Sequence, residues 1–241
     1  MRAIDLLQNA LGIQREIEPG SFVPPVFLTG CMRSGTTYLA HLLNEHPNLL
    51  HLEGELINVW TEIGGVDCKS NRVYADRNQI TPQVTANMAA YFERCLLEYT
   101  RPKYALWRAI NRWKTGSGGV LKSSAQVRLL NKSVHLVNRV DYLLNMFPTA
   151  KLIFLIRPIE AQVSSLKLHF IKHEKRGKYF GLPKNDQDSW ITSSNAGVKN
   201  WNVKNLAKTW INLNYQALKD LERNEAESYM KRLGHHSDID T

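Results

Sequence analysis

The sequence predicts an α/β domain on a central, mostly parallel sheet, and three observations carry that prediction. An apolar run, Val26-Phe27-Leu28, stops at Gly30, gives way to a polar loop closed by Gly35, and is followed by apolar residues at helical spacing (Tyr38, Leu39, Leu42, Leu43). A second run, Ala150 to Ile156, is long and apolar enough for a strand buried on both faces of a parallel sheet. It delivers Arg157-Pro158 to the start of another helical pattern. Strand and helix signals alternate along the chain, as parallel α/β folds require.

Taken in order, residues 3–15 carry Leu6, Leu7, Ala10, Leu11 and Ile13 in an amphipathic helical pattern, and residues 1–22 form a helix and lead-in. Pro24-Pro25 leads stiffly into the first strand, and the helix after the loop ends near Asn44, before Pro47. Leu49–Leu52 reads as a short strand, Glu53-Gly54-Glu55 as a turn, and Leu56–Ile63 as a helix. Residues 64–80 are polar and turn-rich. Thr81-Pro82 reads as an N-cap with proline at the first helical position, opening a helix to about Tyr99. Residues 100–118 interleave basic and aromatic side chains, among them Trp107 and Trp113, which suit base stacking or a core and lid. Gly118 to Ser124 reads as a strand running into a polar turn, and a helix is expected from about Leu136 to Phe147. The helix after Pro158 runs to about Ile171, residues 173–200 form a long polar loop, and a last helix covers about Val203 to Leu233. Residues 234–241 read as a frayed tail, so the whole of 1–241 is expected to be one domain.

The loop at 30–37 reads G-x4-G-T-T, the pattern of a phosphate-cradling loop with Thr36 where nucleotide triphosphatases carry lysine. This predicts a three-layer fold of the P-loop nucleotide hydrolase type. Glycines at both ends let successive N–H groups face one concavity, and the helix N-terminus adds further donors and its dipole. Arg33 adds a planar fork suited to phosphate or sulfate oxygens, and Thr36 and Thr37 add hydroxyls. The plain alternative is a glycine-rich turn with no ligand.

Composition narrows the class. The chain has 241 residues, 43% hydrophobic and 22% charged, enough for a real core. No apolar run approaches the ~20 residues of a membrane span, and the N-terminus lacks a secretory core, so a cytoplasmic location is expected. Cys31, Cys68 and Cys95 are widely spaced and match no metal-ligand spacing, and His235-His236 is too weak a signal for a metal site. The net charge of +9 would steer nucleic acid, anionic membrane or a small polyanion equally. The dense basic stretch 172–178 is either a solvated face or an anion site.

Two motifs carry a resemblance to the sulfotransferases that use 3′-phosphoadenosine 5′-phosphosulfate, in particular the bacterial type related to tyrosylprotein sulfotransferases. Val26 to Leu43, with Arg33-Ser34-Gly35-Thr36-Thr37 and the following His46-Pro47, resembles their 5′-phosphosulfate loop. Lys151 to Leu166, a strand ending in Arg157, then Pro158 and a serine-bearing helix, resembles their 3′-phosphate motif. Between them, Val120-Leu121-Lys122-Ser123 with the later Phe147-Pro148 resembles their Leu-Lys-Ser-Pro segment. The Trp210 helix fits their tryptophan-bearing helix more loosely.

The resemblance implies that Arg33, Ser34, Gly35, Thr36 and Thr37 hold the 5′-phosphosulfate. It implies that Arg157 binds the 3′-phosphate with a serine, Ser164 counting from Pro158 or Ser165 counting from Arg157. A base must take the acceptor's proton and cations must neutralise the leaving phosphate. Glu55 is the first choice for the base and Glu53 the second; the plain role for either is a helix-terminal carboxylate. Lys122, with Arg33, is the implied catalytic cation, and no metal is then required. The expected cosubstrate is 3′-phosphoadenosine 5′-phosphosulfate, with an unidentified hydroxyl or amine acceptor as partner. The chain ends at Thr241 before the family's Arg-Tyr-Glu-Asp-Leu segment, so against that pattern it reads as either a C-terminally truncated sequence or a shortened member with incomplete nucleotide closure. A P-loop kinase is the second enzyme reading, weakened by the absent lysine. A nucleotide or nucleic-acid binding module is a third, and it leaves the paired phosphate motifs unexplained.

Overall fold

Strand β1 (Val26–Thr29) is buried at all four positions, because it has a strand on either side and helices over both faces. In the computed structural model, residues 23–46, 48–66, 75, 77–100, 127–174 and 203–232 are described. Three further strands, β2 (Leu49–Leu52), β3 (Arg128–Lys132) and β4 (Lys151–Phe154), complete a four-stranded sheet in the order β2-β3-β1-β4. Every pairing is parallel, so all four C-terminal ends lie along one edge. Helices α1 (Thr36–Asn44), α2 (Ile57–Glu62), α3 (Pro82–Thr100), α4 (Val140–Met146), α5 (Ile159–Glu174) and α6 (Val203–Arg232) surround it. The chain therefore has the α/β, P-loop-like architecture that its sequence predicts.

The two-residue period of β1 divides the core. Phe27 points to one face and packs among Trp60, Phe92 and Phe147, at ring-centroid separations of 5.9, 6.2 and 5.8 Å. Met88, Leu129, Tyr142, Leu143 and Met146 extend this larger core. Val26 and Leu28 point to the other face, against Leu130 and Ala40 of α1. Helices α5 and α6 pack together through Val163, Leu166, Phe170 and Leu206, and Met32 joins that contact.

Local signals hold at several element ends. Thr81 caps α3, its Oγ1 accepting from the Val84 N–H at 3.2 Å, with Pro82 as the first helical residue. Asn44 Oδ1 accepts from the His51 N–H at 2.9 Å and ties the end of α1 to β2.

Three expectations change. The helix expected from Leu136 to Phe147 is a 3-10 turn, Val134–Leu136, then the shorter α4; Leu136 is buried in the core, and Arg139, at φ −134°, starts the α-helix anew. The apolar run at 150–156 is not a doubly buried strand. It forms β4, the last strand in the described order, and its residues are half-buried or exposed. The strand between β2 and β1 is instead β3, in a stretch to which the sequence reading assigned no element. The expected helix at 3–15, the basic aromatic segment 101–118, the strand Gly118–Ser124, most of the loop at 173–200 and the tail 234–241 lie outside the described residues.

Candidate active site

The site is assembled from the four strand ends. After β1 the backbone turns at Gly30, whose place no larger residue could take: an added Cβ would lie 2.3 Å from the Leu155 carbonyl oxygen and 3.0 Å from Ser34 Oγ. Beside that contact, the Leu155 N–H donates to Thr29 O at 2.9 Å and fixes the loop to the end of β4. Gly35, at φ +107°, closes the loop at the N-terminus of α1. No side chain caps this helix, its first turn holds no acidic residue, and the Leu39 N–H to Gly35 O bond is 3.0 Å. The N–H groups ahead of that bond lack intrahelical partners and are free to meet an anion. Ser34 Oγ is buried with no partner among the described residues. Thr36 is buried and Thr37 exposed.

Arg33 is the hinge of the arrangement. Its backbone lies in the left-handed region, at φ 70°. Its Nε donates to Ser165 Oγ on α5 at 3.2 Å, and its carbonyl accepts from Arg157 Nη1 at 3.0 Å. Gln162, buried on α5, donates through Nε2 to Met32 O at 2.8 Å. The loop after β1 and the turn after β4 are thereby locked into one unit carrying two guanidinium groups. Of the two candidate serines, Ser165 meets the loop, whereas Ser164, one residue earlier on the helix, is exposed.

The other half comes from β2 and β3. Lys132, the last residue of β3, pairs in register with Leu28 and so lies beside β1 two residues before the loop begins. Its Nζ donates to Glu55 Oε1, and the Val134 N–H donates to Glu55 Oε2 at 2.7 Å. Glu53, two residues earlier, is exposed. The turn that presents Glu55 is tight. Gly54 has φ +82° and Leu56 φ +51°. Leu56 and Arg33 are the two non-glycine residues with positive φ among the described residues, one in each half of the site. Such backbone costs of order 1–3 kcal/mol per residue and persists where its surroundings over-determine it.

Two histidines border this pair. His51 is pushed down to about 4 by burial, reinforced by His41 and Lys132 and opposed by Glu55. Burial also lowers His135, with Glu55 opposing and Arg139 and Lys132 adding to the effect. Both imidazoles are therefore neutral at pH 7. Cys31, in the loop itself, is a free, buried thiol pushed up to about 12 by burial, so it is protonated.

Lys122 lies outside the described residues. Lys132 was missed by sequence reasoning, yet a signal was present: Lys132-Ser133, ahead of the 3-10 turn and α4, repeats the Lys122-Ser123 dipeptide ten residues on. Among the described residues no group of three or more His, Cys, Asp and Glu side chains could hold a metal ion, and no helix is long and apolar enough to cross a membrane.

An uncapped helix N-terminus, an orphaned buried hydroxyl and two linked guanidinium groups stand at one sheet edge beside a carboxylate–lysine pair, a donor set chemically suited to a polyanion. The comparison with family models gives the class of protein a name. The model described as the Sulfotransferase family matches residues 24–238, and the chain belongs to that family. Membership supports sulfonate transfer as its chemistry. No curated protein and no solved structure matches the chain.

Proposed function

We propose that this chain transfers a sulfonate group from 3′-phosphoadenosine 5′-phosphosulfate to a hydroxyl or amine acceptor. The observation that carries the reading is the link through Arg33. One residue joins the loop at a helix N-terminus to Arg157 and Ser165, so two anion-directed donor sets stand at one sheet edge beside Glu55 and Lys132. A cosubstrate with negative groups at both its 5′ and 3′ positions calls for two such sets.

In this reading the N–H groups of 35–37, Ser34 Oγ and the Arg33 side chain hold the 5′-phosphosulfate, with Thr36 and Thr37 in the same turn. Arg157, with Ser165 as its neighbour, takes the 3′-phosphate, for which the guanidinium fork is suited. Glu55 accepts the acceptor's proton as the acceptor oxygen or nitrogen bonds to sulfur. Each carboxylate oxygen has two lone pairs, so the bonds from Lys132 and Val134 leave room for that proton. As the bond from sulfur to the bridging oxygen breaks, its electrons stay on the leaving phosphate, where Lys132 and Arg33 offset the developing charge.

The test is transfer of labelled sulfonate to a panel of phenols, sugars, lipids and peptides, with thermal stabilisation by adenosine 3′,5′-bisphosphate measured alongside. Wild type should be stabilised and Arg157→Ala should not. No stabilisation of wild type, or equal stabilisation of both, would refute the reading.

A further inference from the structure

Arg157 is held at both ends. Its guanidinium reaches the Arg33 carbonyl, and its own carbonyl accepts a hydrogen bond from the Trp210 indole N–H at 3.1 Å. Arg157 lies in the turn between β4 and α5, where Pro158 has no N–H and the first backbone bond of α5 runs from the Gln162 N–H to the Pro158 carbonyl, at 3.0 Å. The Arg157 carbonyl thus stands just outside the helix ladder, and a side chain from an element 53 positions away in sequence satisfies it. Trp210 is itself fixed. The half-buried indole sits on α6 between Leu206 and Leu213, both buried, and Asn214 Nδ2 donates to the Trp210 carbonyl at 2.8 Å.

We infer that Trp210 is a positioning residue for the 3′-phosphate arm of the site, making recognition of a 3′-phosphorylated nucleotide depend on the docking of α6. The inference rests on the proposed function and adds to it a residue that acts through the Arg157 backbone. A guanidinium fork discriminates only while its backbone is held at a fixed angle to the ligand. Leu155 is anchored to Thr29 on one side of Arg157 and Gln162 to Met32 on the other, which leaves the Arg157 peptide to the indole. Losing one hydrogen bond of ordinary strength corresponds to about 3- to 10-fold in an equilibrium constant. That loss should fall on the contact made by Arg157 and spare those made by the loop at 30–37.

The experiment is a titration of wild type and Trp210→Phe with adenosine 3′,5′-bisphosphate and with adenosine 5′-phosphate. Phenylalanine keeps an aromatic ring on α6 and removes the N–H. Wild type should prefer the bisphosphate, and Trp210→Phe should reduce that preference about 3- to 10-fold, with affinity for the monophosphate unchanged. An unchanged preference overturns the inference while leaving the proposed function standing. If wild type shows no preference for the 3′-phosphate, the proposed function falls and the inference with it.

A measurement on wild type alone covers the case in which the variant fails to fold. Binding free energies are reciprocal, so the bisphosphate should slow amide hydrogen exchange in residues 203–215 of α6 more than saturating monophosphate does. Equal protection by the two nucleotides overturns the inference.

Discussion

Removing either partner of the Glu55–Lys132 pair should produce unequal losses of stability, and the inequality follows from burial. The Lys132 side chain is 8% exposed and that of Glu55 is 24%. Glu55→Gln keeps an oxygen for the Val134 N–H but leaves the more buried ammonium without its counter-charge. Breaking a buried pair from one side costs about 3–5 kcal/mol; the remaining amide oxygen and the partial exposure bring the expected cost to about 2–3 kcal/mol. Lys132→Met removes the buried charge and leaves a carboxylate that water can reach and Val134 still serves, at about 1 kcal/mol. The double variant carries neither charge and should also lose about 1 kcal/mol, giving a coupling of about 2–3 kcal/mol. For a chain of this size each kcal/mol moves the melting temperature by about 2–4 °C, so Glu55→Gln should melt about 5–10 °C below wild type and the other two about 2–4 °C below. Urea unfolding and thermal scans at pH 7 measure all four proteins. Additive losses, or a Lys132→Met variant weaker than Glu55→Gln, would refute the reasoning. Under the proposed function, all three variants should lose sulfonate transfer by about 100-fold or more, since each lacks the proposed proton acceptor or the cation beside it.

Gly30→Ala should lose about 2–4 kcal/mol in the same scans, because the new methyl group meets the Leu155 backbone carbonyl rather than a side chain that can swing away; an unchanged melting temperature would show that the strand ends part freely. Arg77→Ala should cost about 2–4 kcal/mol. It strips the guanidinium from Asp141, a fully buried carboxylate, leaving it the backbone N–H of residue 77, Asn145 and Asn224 as partners. Arg77 holds Asp141 below the usual carboxylate range against the upward push of burial, so that stability is present at neutral pH and fades only in strong acid. His51 acts nearer neutrality. Its folded-state pKa of about 4 lies below the ordinary 6.5, so its neutral form stabilises the fold above about pH 6.5 and that contribution fades as pH falls towards 4. Because the imidazole is only half-buried, the loss between pH 7 and 5 should be about 1 kcal/mol, and urea unfolding of His51→Asn should show a flatter pH dependence.

What the sequence displayed best were elements whose logic is local. Gly30 and Gly35 mark the loop because only glycine tolerates the approach to Leu155 and the turn into α1. Thr81-Pro82 marks the start of α3 because the cap and the missing N–H lie within one turn. Arg157 was visible because a strand, Arg-Pro and a helix follow one another without a break. Which of Ser164 and Ser165 faces the loop was not visible, because it depends on how α5 is rotated towards a segment more than a hundred residues earlier; Ser165 is the one that meets Arg33.

Strand β3 escaped for a different reason. Arg128-Leu129-Leu130-Asn131-Lys132 holds only two apolar side chains, yet it lies between two strands, while the most apolar run in the chain forms β4, the last strand in the described order. A polar strand can be central where its polar side chains find partners, and the partners here are distant in sequence, although Asn131 finds one through Oδ1 alone. Arg128 Nε donates to Pro24 O at 2.7 Å, Trp60 Nε1 donates to Asn131 Oδ1 at 3.2 Å, and Lys132 pairs with Glu55. None of these contacts leaves a periodic trace. Apolar periodicity therefore hides the strand that carries Lys132. Lys132 is desolvated beside a carboxylate at the edge where the phosphate-type loop begins. A strand regular enough to be read from its apolar alternation would have placed an aliphatic side chain there instead.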